Sequence, residues 1–459
     1  MKFKTVINGT KVTISSDLLE KYNRPGPRYT SYPTAPVWTT DFGPEDYKSA
    51  LCSTNAPTHQ RTNALSLYFH IPFCKKRCHF CGCSTIATNQ NDAADQYIDA
   101  VGREISLVKD HLQAKGVVQL HYGGGTPTFL SPRQLEKLWE HISKHFTIGE
   151  DAEIGIEVDP RVTSVEQLKT LRRQGFNRIS LGVQDFSKNV QEAIGRVQAF
   201  EEISELIDNA RGLGFKSVNV DLVYGLPHQT EKSFKDTVKK IIKLSPDRVA
   251  CFNFAYVPWM MPHQKHIDEK MLPSSNTKFA IFCKTIEQLG KAGYDFIGMD
   301  HFAKSTDELS IAAKNGSLWR NFQGYSAGVR PENGSDPALI GFGLTSISDA
   351  GGCYAQNEKK LIDYYKSIEG GSLATVKGWK LSKNDLERRK LIRELFCKEE
   401  ALLTGDWRLE TGDLEKNKLI KTEKNILKIT ALGRLFVRNI AMVFDEYLKE
   451  GEQKFSKTV

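Results

Sequence analysis

Cys74-Lys75-Lys76-Arg77-Cys78-His79-Phe80-Cys81-Gly82-Cys83 follows closely on a strand-like run, Leu65-Ser66-Leu67-Tyr68-Phe69-His70. Four of the chain's 9 cysteines lie in this short loop, three of them at C-x3-C-x2-C spacing, with Cys83 just beyond. Soft thiolates this close together suit an iron–sulfur cluster or a zinc ion. A disulfide pair would not need four thiols in one loop, and its geometry restricts which of them could bridge. Structural zinc sites usually combine one C-x2-4-C pair with a distant second pair, and the sequence offers no such second pair. Three thiolates can hold three irons of a [4Fe–4S] cube and leave the fourth iron open to the amino and carboxylate groups of a small molecule. Phe73 and Phe80 stand where they can limit water access to such a cluster.

The run 65–70 is the first of six strand candidates; the others are 117–122, 153–158, 178–183, 217–223 and 248–256. Amphipathic stretches at 92–111, 131–145, 164–174, 188–194, 200–213 and 231–243 predict helices between or beside them. Alternating strands and helices predict parallel βα units. Six units predict an α/β fold, a partial (β/α)6 TIM-like barrel with parallel strands, over a closed eight-stranded one. In such folds ligands sit beyond the carboxyl ends of the strands. The cysteine loop and several other polar motifs all follow strands, which points to one shared site.

Three regions are expected. Residues 1–60 read as an extended N-terminal arm and candidate substrate lid, because Asn23 to Pro36 carries four prolines together with Arg24, Arg28, Tyr29 and Tyr32. Residues 61–355 form the barrel. Residues 356–459 read as a mostly helical, winged-helix-like domain, with helices over 382–398 and 431–450 and a hairpin around Thr422–Asn425.

With 459 residues, 26% charged and 40% hydrophobic, the chain can bury a sizeable core. Its net charge of +8 is spread without a dense basic block, which weakly favours an anionic small substrate and gives little support for nucleic acid. No apolar run is long enough to span a membrane, and the polar Asn8-Gly9-Thr10 interrupts any leader-like core. The odd cysteine count fits a reducing cytoplasm.

Physical roles can be given to single residues. Gly123–Gly125 follows a strand and lets the backbone approach a ligand closely, or simply turns the chain. Glu157 and Asp221 at strand ends can accept hydrogen bonds from ribose hydroxyls, or cap the next helix. Arg196 can pair with a carboxylate. Asp300-His301 is given no catalytic role.

C-x3-C-x2-C with an aromatic before the last cysteine resembles the radical S-adenosylmethionine superfamily. The longer run from Tyr68 to Cys83 resembles, more narrowly, the oxygen-independent coproporphyrinogen III oxidase family. Further similar motifs occur in order along the chain: Pro27-Arg28-Tyr29-Thr30-Ser31-Tyr32-Pro33-Thr34-Ala35, Gly123-Gly124-Gly125-Thr126-Pro127-Thr128, Glu157-Val158-Asp159-Pro160, Leu181-Gly182-Val183-Gln184-Asp185-Phe186, Asp221 to Pro227, Phe296 to Ala303 and Asn321 to Tyr325. The resemblance covers about residue 24 to the last helix. It implies that Cys74, Cys78 and Cys81 ligate a [4Fe–4S] cluster, with Cys83 a non-ligand cysteine. It also implies two S-adenosylmethionine molecules. Tyr68, Gly124, Glu157 and Ile347 would contact the first; Phe80, Gly125, Thr126, Gln184, Arg196, Asp221 and Ala255 would contact the second. A longer stretch at 328–334 precedes the Ile347 region, and Val257-Pro258-Trp259-Met260-Met261 carries side chains unusual for the family.

The implied reaction cleaves S-adenosylmethionine to methionine and a 5′-deoxyadenosyl radical, which takes hydrogen from a propionate β-carbon. Carbon dioxide leaves and a vinyl group remains; two rounds convert coproporphyrinogen III to protoporphyrinogen IX. Implied partners are an electron donor such as flavodoxin or ferredoxin and an unspecified acceptor, acting on a cytoplasmic monomer. The rival expectation is a haem-binding chaperone of the same superfamily without decarboxylase activity. A third is a zinc-stabilised α/β binding protein.

Overall fold

The computed structural model describes residues 1–53, 64–112, 116–328, 337–404, 407, 411–448 and 455–458. The six expected strands form as β1 (Ala64–Ile71), β2 (Gly116–Gly124), β3 (Thr147–Val158), β4 (Arg178–Gln184), β5 (Ser217–Tyr224) and β6 (Arg248–Asn253). Each pairs in parallel with the next. Around them run α1 (Ala93–Lys109), α2 (Pro132–Ser143), α3 (Val165–Arg173), α4 (Lys188–Ala193), α5 (Phe200–Gly212) and α6 (Glu231–Leu244). Their buried residues recur at helical spacing, as with Phe234, Val238 and Ile241 of α6, so each helix turns one apolar stripe to the sheet. The partial barrel is therefore as expected.

Two helix starts also brace the site. Ser131 and Gln134 form a capping box at α2, and Ser164 and Gln167 form another at α3. The Gln167 amide also donates to the carbonyls of Thr128 (2.8 Å) and Leu130 (2.6 Å), fixing the turn that follows β2.

The sheet extends past the barrel at both edges. On the β1 side, Ala338–Phe342 runs parallel to β1, followed by antiparallel Ile347–Ala350, Cys353–Asn357 and Thr375–Lys380. On the β6 side, antiparallel His301–Lys304 and Tyr294–Gly298 complete a 12-stranded sheet. The boundary expected at 355/356 therefore cuts a strand. These edge strands are short, and Gly351-Gly352, at φ +58° and +73°, turns Ile347–Ala350 directly back on Cys353–Asn357 with no helix between them, so the βα rhythm is lost there.

The arm also differs from the extended segment expected. Lys2–Ile7 and Thr10–Ser15 form a hairpin around Asn8-Gly9, both at positive φ. That dipeptide between alternating apolar residues is a strong hairpin signal, which the polar reading of Asn8-Gly9-Thr10 overlooked. The hairpin packs Phe3 edge-on against Phe279 at 5.1 Å. Helices Ser16–Tyr22 and Pro44–Ser53 flank the proline-rich segment; residues 54–60 lie outside the described residues.

After Lys380, helix Lys383–Lys398 leads to a three-stranded antiparallel sheet of Glu400–Leu402, Ile426–Ile429 and Ile420–Glu423. Of the helix expected over 431–450, the described residues up to 448 form a 3-10 turn, Gly433–Phe436, and a short helix, Val437–Met442; 449–450 lie outside the described residues. Beyond it, backbone groups are taken by other segments: Arg388 donates to the Phe444 carbonyl (2.9 Å), and the Glu446 N–H donates to Tyr32 Oη (3.1 Å).

Buried Glu104 ties α1 to the β1-side extension. It accepts from Gly343 N (2.7 Å), Tyr364 Oη (2.7 Å) and Asn357 Nδ2 (2.5 Å). Burial outweighs these donors and raises its pKa from 4.5 to about 7. The folded state therefore holds this proton more tightly than the unfolded chain, and the stability it confers is lost as pH rises through that window. Glu104→Gln is expected to cost roughly 1–3 kcal/mol by turning an amide N–H toward donors. In urea unfolding, the wild-type advantage should shrink from about pH 4.5 to about pH 7.

Candidate active site

The cysteine loop leaves β1 through Phe73, whose ring is buried edge-on to Tyr97 and tilted on Phe129, both at 5.4 Å. Phe73 thus anchors the loop in the core and does not shield the thiols from water. Phe80 does line the cavity that they face. Phe73–Cys74 pairs in parallel with Ile86–Ala87, so the loop closes on itself.

The turn after β2 lies directly against this loop. Gly125 N donates to Ile71 O (2.8 Å) and Thr126 N to Phe73 O (2.9 Å), while Thr126 Oγ1 is 3.2 Å from Cys74 Sγ. A Cβ on Gly125 would meet Pro72 O at 2.7 Å, and one on Gly124, at φ +115°, would meet the His70 ring at 2.9 Å. Two backbones in contact, rather than a ligand alone, demand these glycines.

One cavity of about 470 Å³ runs from this loop down the barrel lumen. Cys74, Cys78, Cys81, Phe80, Gly124, Gly125, Thr126, Glu157, Gln184, Arg196 and Asp221 all line it. Three expected residues do not. Tyr68 lies beside the cavity, stacked on His121 at 6.2 Å and 3.2 Å from His70 Nδ1 through its hydroxyl. Ala255 follows β6, its carbonyl taken by Gln264 Nε2 (3.2 Å), which also binds Phe80 O (3.2 Å). Ile347 packs with Trp38 and Tyr354.

Near the end of β3, Glu157 turns its carboxylate toward Gly124 N (3.3 Å) and His121 Nε2 (3.5 Å) of the adjacent β2 and does not cap a helix. Asp221 accepts from Asn219 Nδ2 (2.8 Å) and Ser180 Oγ (3.1 Å). Burial, reinforced by the nearby Glu157 charge, raises its pKa to about 7. Gln184 ends β4 in the left-handed region at φ +69°.

At the mouth, Asp159 sits between two arginines. Arg161 Nη2 is 2.6 Å and Arg196 Nη1 3.0 Å from Asp159 Oδ2. These pairs hold the Asp159 carboxyl below its ordinary pKa despite burial. Both guanidinium groups also approach Cys78 Sγ, at 3.6 and 3.7 Å. Cys81 accepts from the Cys83 backbone N–H (3.4 Å), and the Cys83 thiol beside it holds the Cys81 thiol below the usual range. Burial pushes the Cys74 thiol up to about 11. Four soft thiols, of Cys74, Cys78, Cys81 and Cys83, face one cavity, and with cations close enough to offset thiolate charge this set fits a [4Fe–4S] cluster held by three of them.

Arg161, His121, Ser180 and Asn219 were missed as site residues. Strand alternation could have found three of them: 119-121-123, 178-180-182 and 217-219-221 are inward positions on neighbouring strands. His301 also lines the cavity; burial lowers its pKa to about 4, leaving it neutral at pH 7. Arg28 of the arm is ion-paired with buried Asp300 and lies over Phe252 at 5.7 Å. Arg320 Nη1 holds the Tyr29 carbonyl (2.7 Å) and Arg438 Nε the Pro27 carbonyl (3.0 Å). The guanidinium expected over substrate is thus committed to Asp300.

The chain matches the family model described as the Radical SAM superfamily over residues 68–241. It is 44% identical to oxygen-independent coproporphyrinogen III oxidase of Synechocystis sp., covering 98% of each protein. To the protein of the same name from Escherichia coli it is 43% identical, covering 96% of this chain and 98% of that one. The solved structure of coproporphyrinogen III oxidase from Escherichia coli, described as a Radical SAM enzyme, superposes with a TM-score of 0.86 at 42% identity over 92% of this chain and 98% of that one. Full-length similarity at this level shows that the chain belongs to the oxygen-independent coproporphyrinogen III oxidase family, of the radical SAM superfamily.

Proposed function

We propose that this radical SAM oxidoreductase converts coproporphyrinogen III to protoporphyrinogen IX in haem biosynthesis by oxidative decarboxylation of two propionates to vinyls. The observation that carries the reading is the meeting of three thiols with Glu157 and Asp221 around one cavity. When bound, the cluster and S-adenosylmethionine would supply a 5′-deoxyadenosyl radical able to take a hydrogen from the propionate β-carbon; loss of carbon dioxide then passes one electron to an acceptor.

Cys74, Cys78 and Cys81 would hold the cluster. Glu157, on the Gly124 side, and Asp221, steadied by Ser180 and Asn219, are placed to bind ribose hydroxyls. Arg196 keeps its geometry through Gly182 O (2.6 Å) and Asp159, and offers charge to a methionyl carboxylate. Carboxylates on two separate strands, β3 and β5, support two S-adenosylmethionine molecules. The +8 balance suits a substrate with four carboxylates. We place the chain in the cytoplasm as a monomer supplied by a flavodoxin- or ferredoxin-like donor; no helix among the described residues is long and apolar enough to cross a membrane.

Anaerobic incubation of iron-loaded protein with coproporphyrinogen III, S-adenosylmethionine and a reductant is expected to yield protoporphyrinogen IX and two carbon dioxides per turnover of substrate. Haem binding without any vinyl product would replace this reading with the chaperone.

A further inference from the structure

We propose that Arg161 is a positioning residue for the cluster: clamped by Asp159, it donates to the Cys78 sulfur and raises the cluster's reduction potential. The inference rests on Cys78 being a cluster ligand.

Arg161 is held from several directions. Its backbone N–H and its Nε both donate to Asp159 Oδ1, at 3.1 and 3.0 Å, and its Nη2 reaches Asp159 Oδ2 at 2.6 Å. Asp159 is itself fixed: its carbonyl accepts from Val162 N (3.1 Å) and Thr163 Oγ1 (2.8 Å), and its side chain is 9% exposed. The remaining reach of Arg161 Nη2 is to Cys78 Sγ at 3.6 Å. Arg196 differs, because its Nε and Nη2 also serve the Gly182 carbonyl and so hold β4. Removing Arg161 therefore removes a sulfur contact and one charge while leaving the strand framework in place.

The direction of the effect follows from charge. Two guanidinium groups and one carboxylate leave a net positive charge beside Cys78. Reduction adds a negative charge to the cluster, so a nearby cation and an N–H donor to a ligand sulfur favour the reduced state. The side chains are mostly withdrawn from water, with Arg161 21% and Arg196 8% exposed, which lessens screening.

The test is a redox titration, followed by electron paramagnetic resonance, of the anaerobically reconstituted full-length protein without S-adenosylmethionine or substrate. Arg161→Met is expected to make cluster reduction tenfold less favourable, a negative shift of about 59 mV for one electron. Arg161→Lys should recover part of the shift and Arg161→Gln less, since one keeps the charge and the other only a donor. If Arg161→Met fails to load iron, the Lys and Gln variants decide. Potentials for iron-loaded variants equal to or above wild type would overturn the role of Arg161. Wild-type protein unable to bind iron and sulfide would instead overturn the ligand assignment.

Discussion

Cys78→Ser is expected to abolish both 5′-deoxyadenosine formation and decarboxylation, leaving each at the no-enzyme background. Cys78 is the buried member of the three thiols, and serine nearly preserves its size, so thermal unfolding should change little relative to cluster-free wild type. The chemistry changes far more. A hydroxyl is a hard, scarcely ionised group where a soft thiolate is needed. The substitution also takes the sulfur away from Arg161 and Arg196, which converge on it from Asp159. Iron analysis, circular dichroism and product assays on one preparation separate loss of cluster from loss of fold. A folded variant still cleaving S-adenosylmethionine would contradict the ligand set.

Glu157→Gln is expected to weaken S-adenosylmethionine binding roughly 10- to 100-fold, because hydrogen bonds to a charged acceptor contribute about 1.5–3 kcal/mol. The Glu157 side chain is 45% exposed to the cavity, so stability should stay within about 0.5 kcal/mol. A second effect distinguishes this from general damage. Glu157 helps raise the Asp221 pKa, after burial itself; removing its charge should lower that pKa and move the acid limb of the pH–binding profile downward. Binding and pH profile unchanged from wild type would remove Glu157 from the ribose site.

What the sequence disclosed followed the physics of regular repetition. Parallel βα units repeat, and each of the six strands carries enough apolar residues to be recognised, so the barrel and the position of the cysteine loop after β1 were legible. The additions at 294–304 and 338–380, antiparallel apart from Ala338–Phe342, were not, because each strand is only a few residues long and too short to show a clear period. Gly125 was singled out for ligand approach, yet its tightest constraint is the backbone of Pro72 and Phe73. Arg161 carries no motif of its own; only the fold shows that the turn after β3 aims it at Cys78. Arg28 was expected within a substrate lid; its ion pair with Asp300, distant in sequence, is visible only in the fold.

The central claim is that the loop from Cys74 to Cys81 assembles a cubane cluster. Iron, labile sulfide and zinc should therefore be counted in anaerobically reconstituted protein, alongside its visible spectrum. About four irons and four sulfides per chain are expected, with broad absorption in the visible. A colourless protein holding one zinc and no sulfide would contradict that claim.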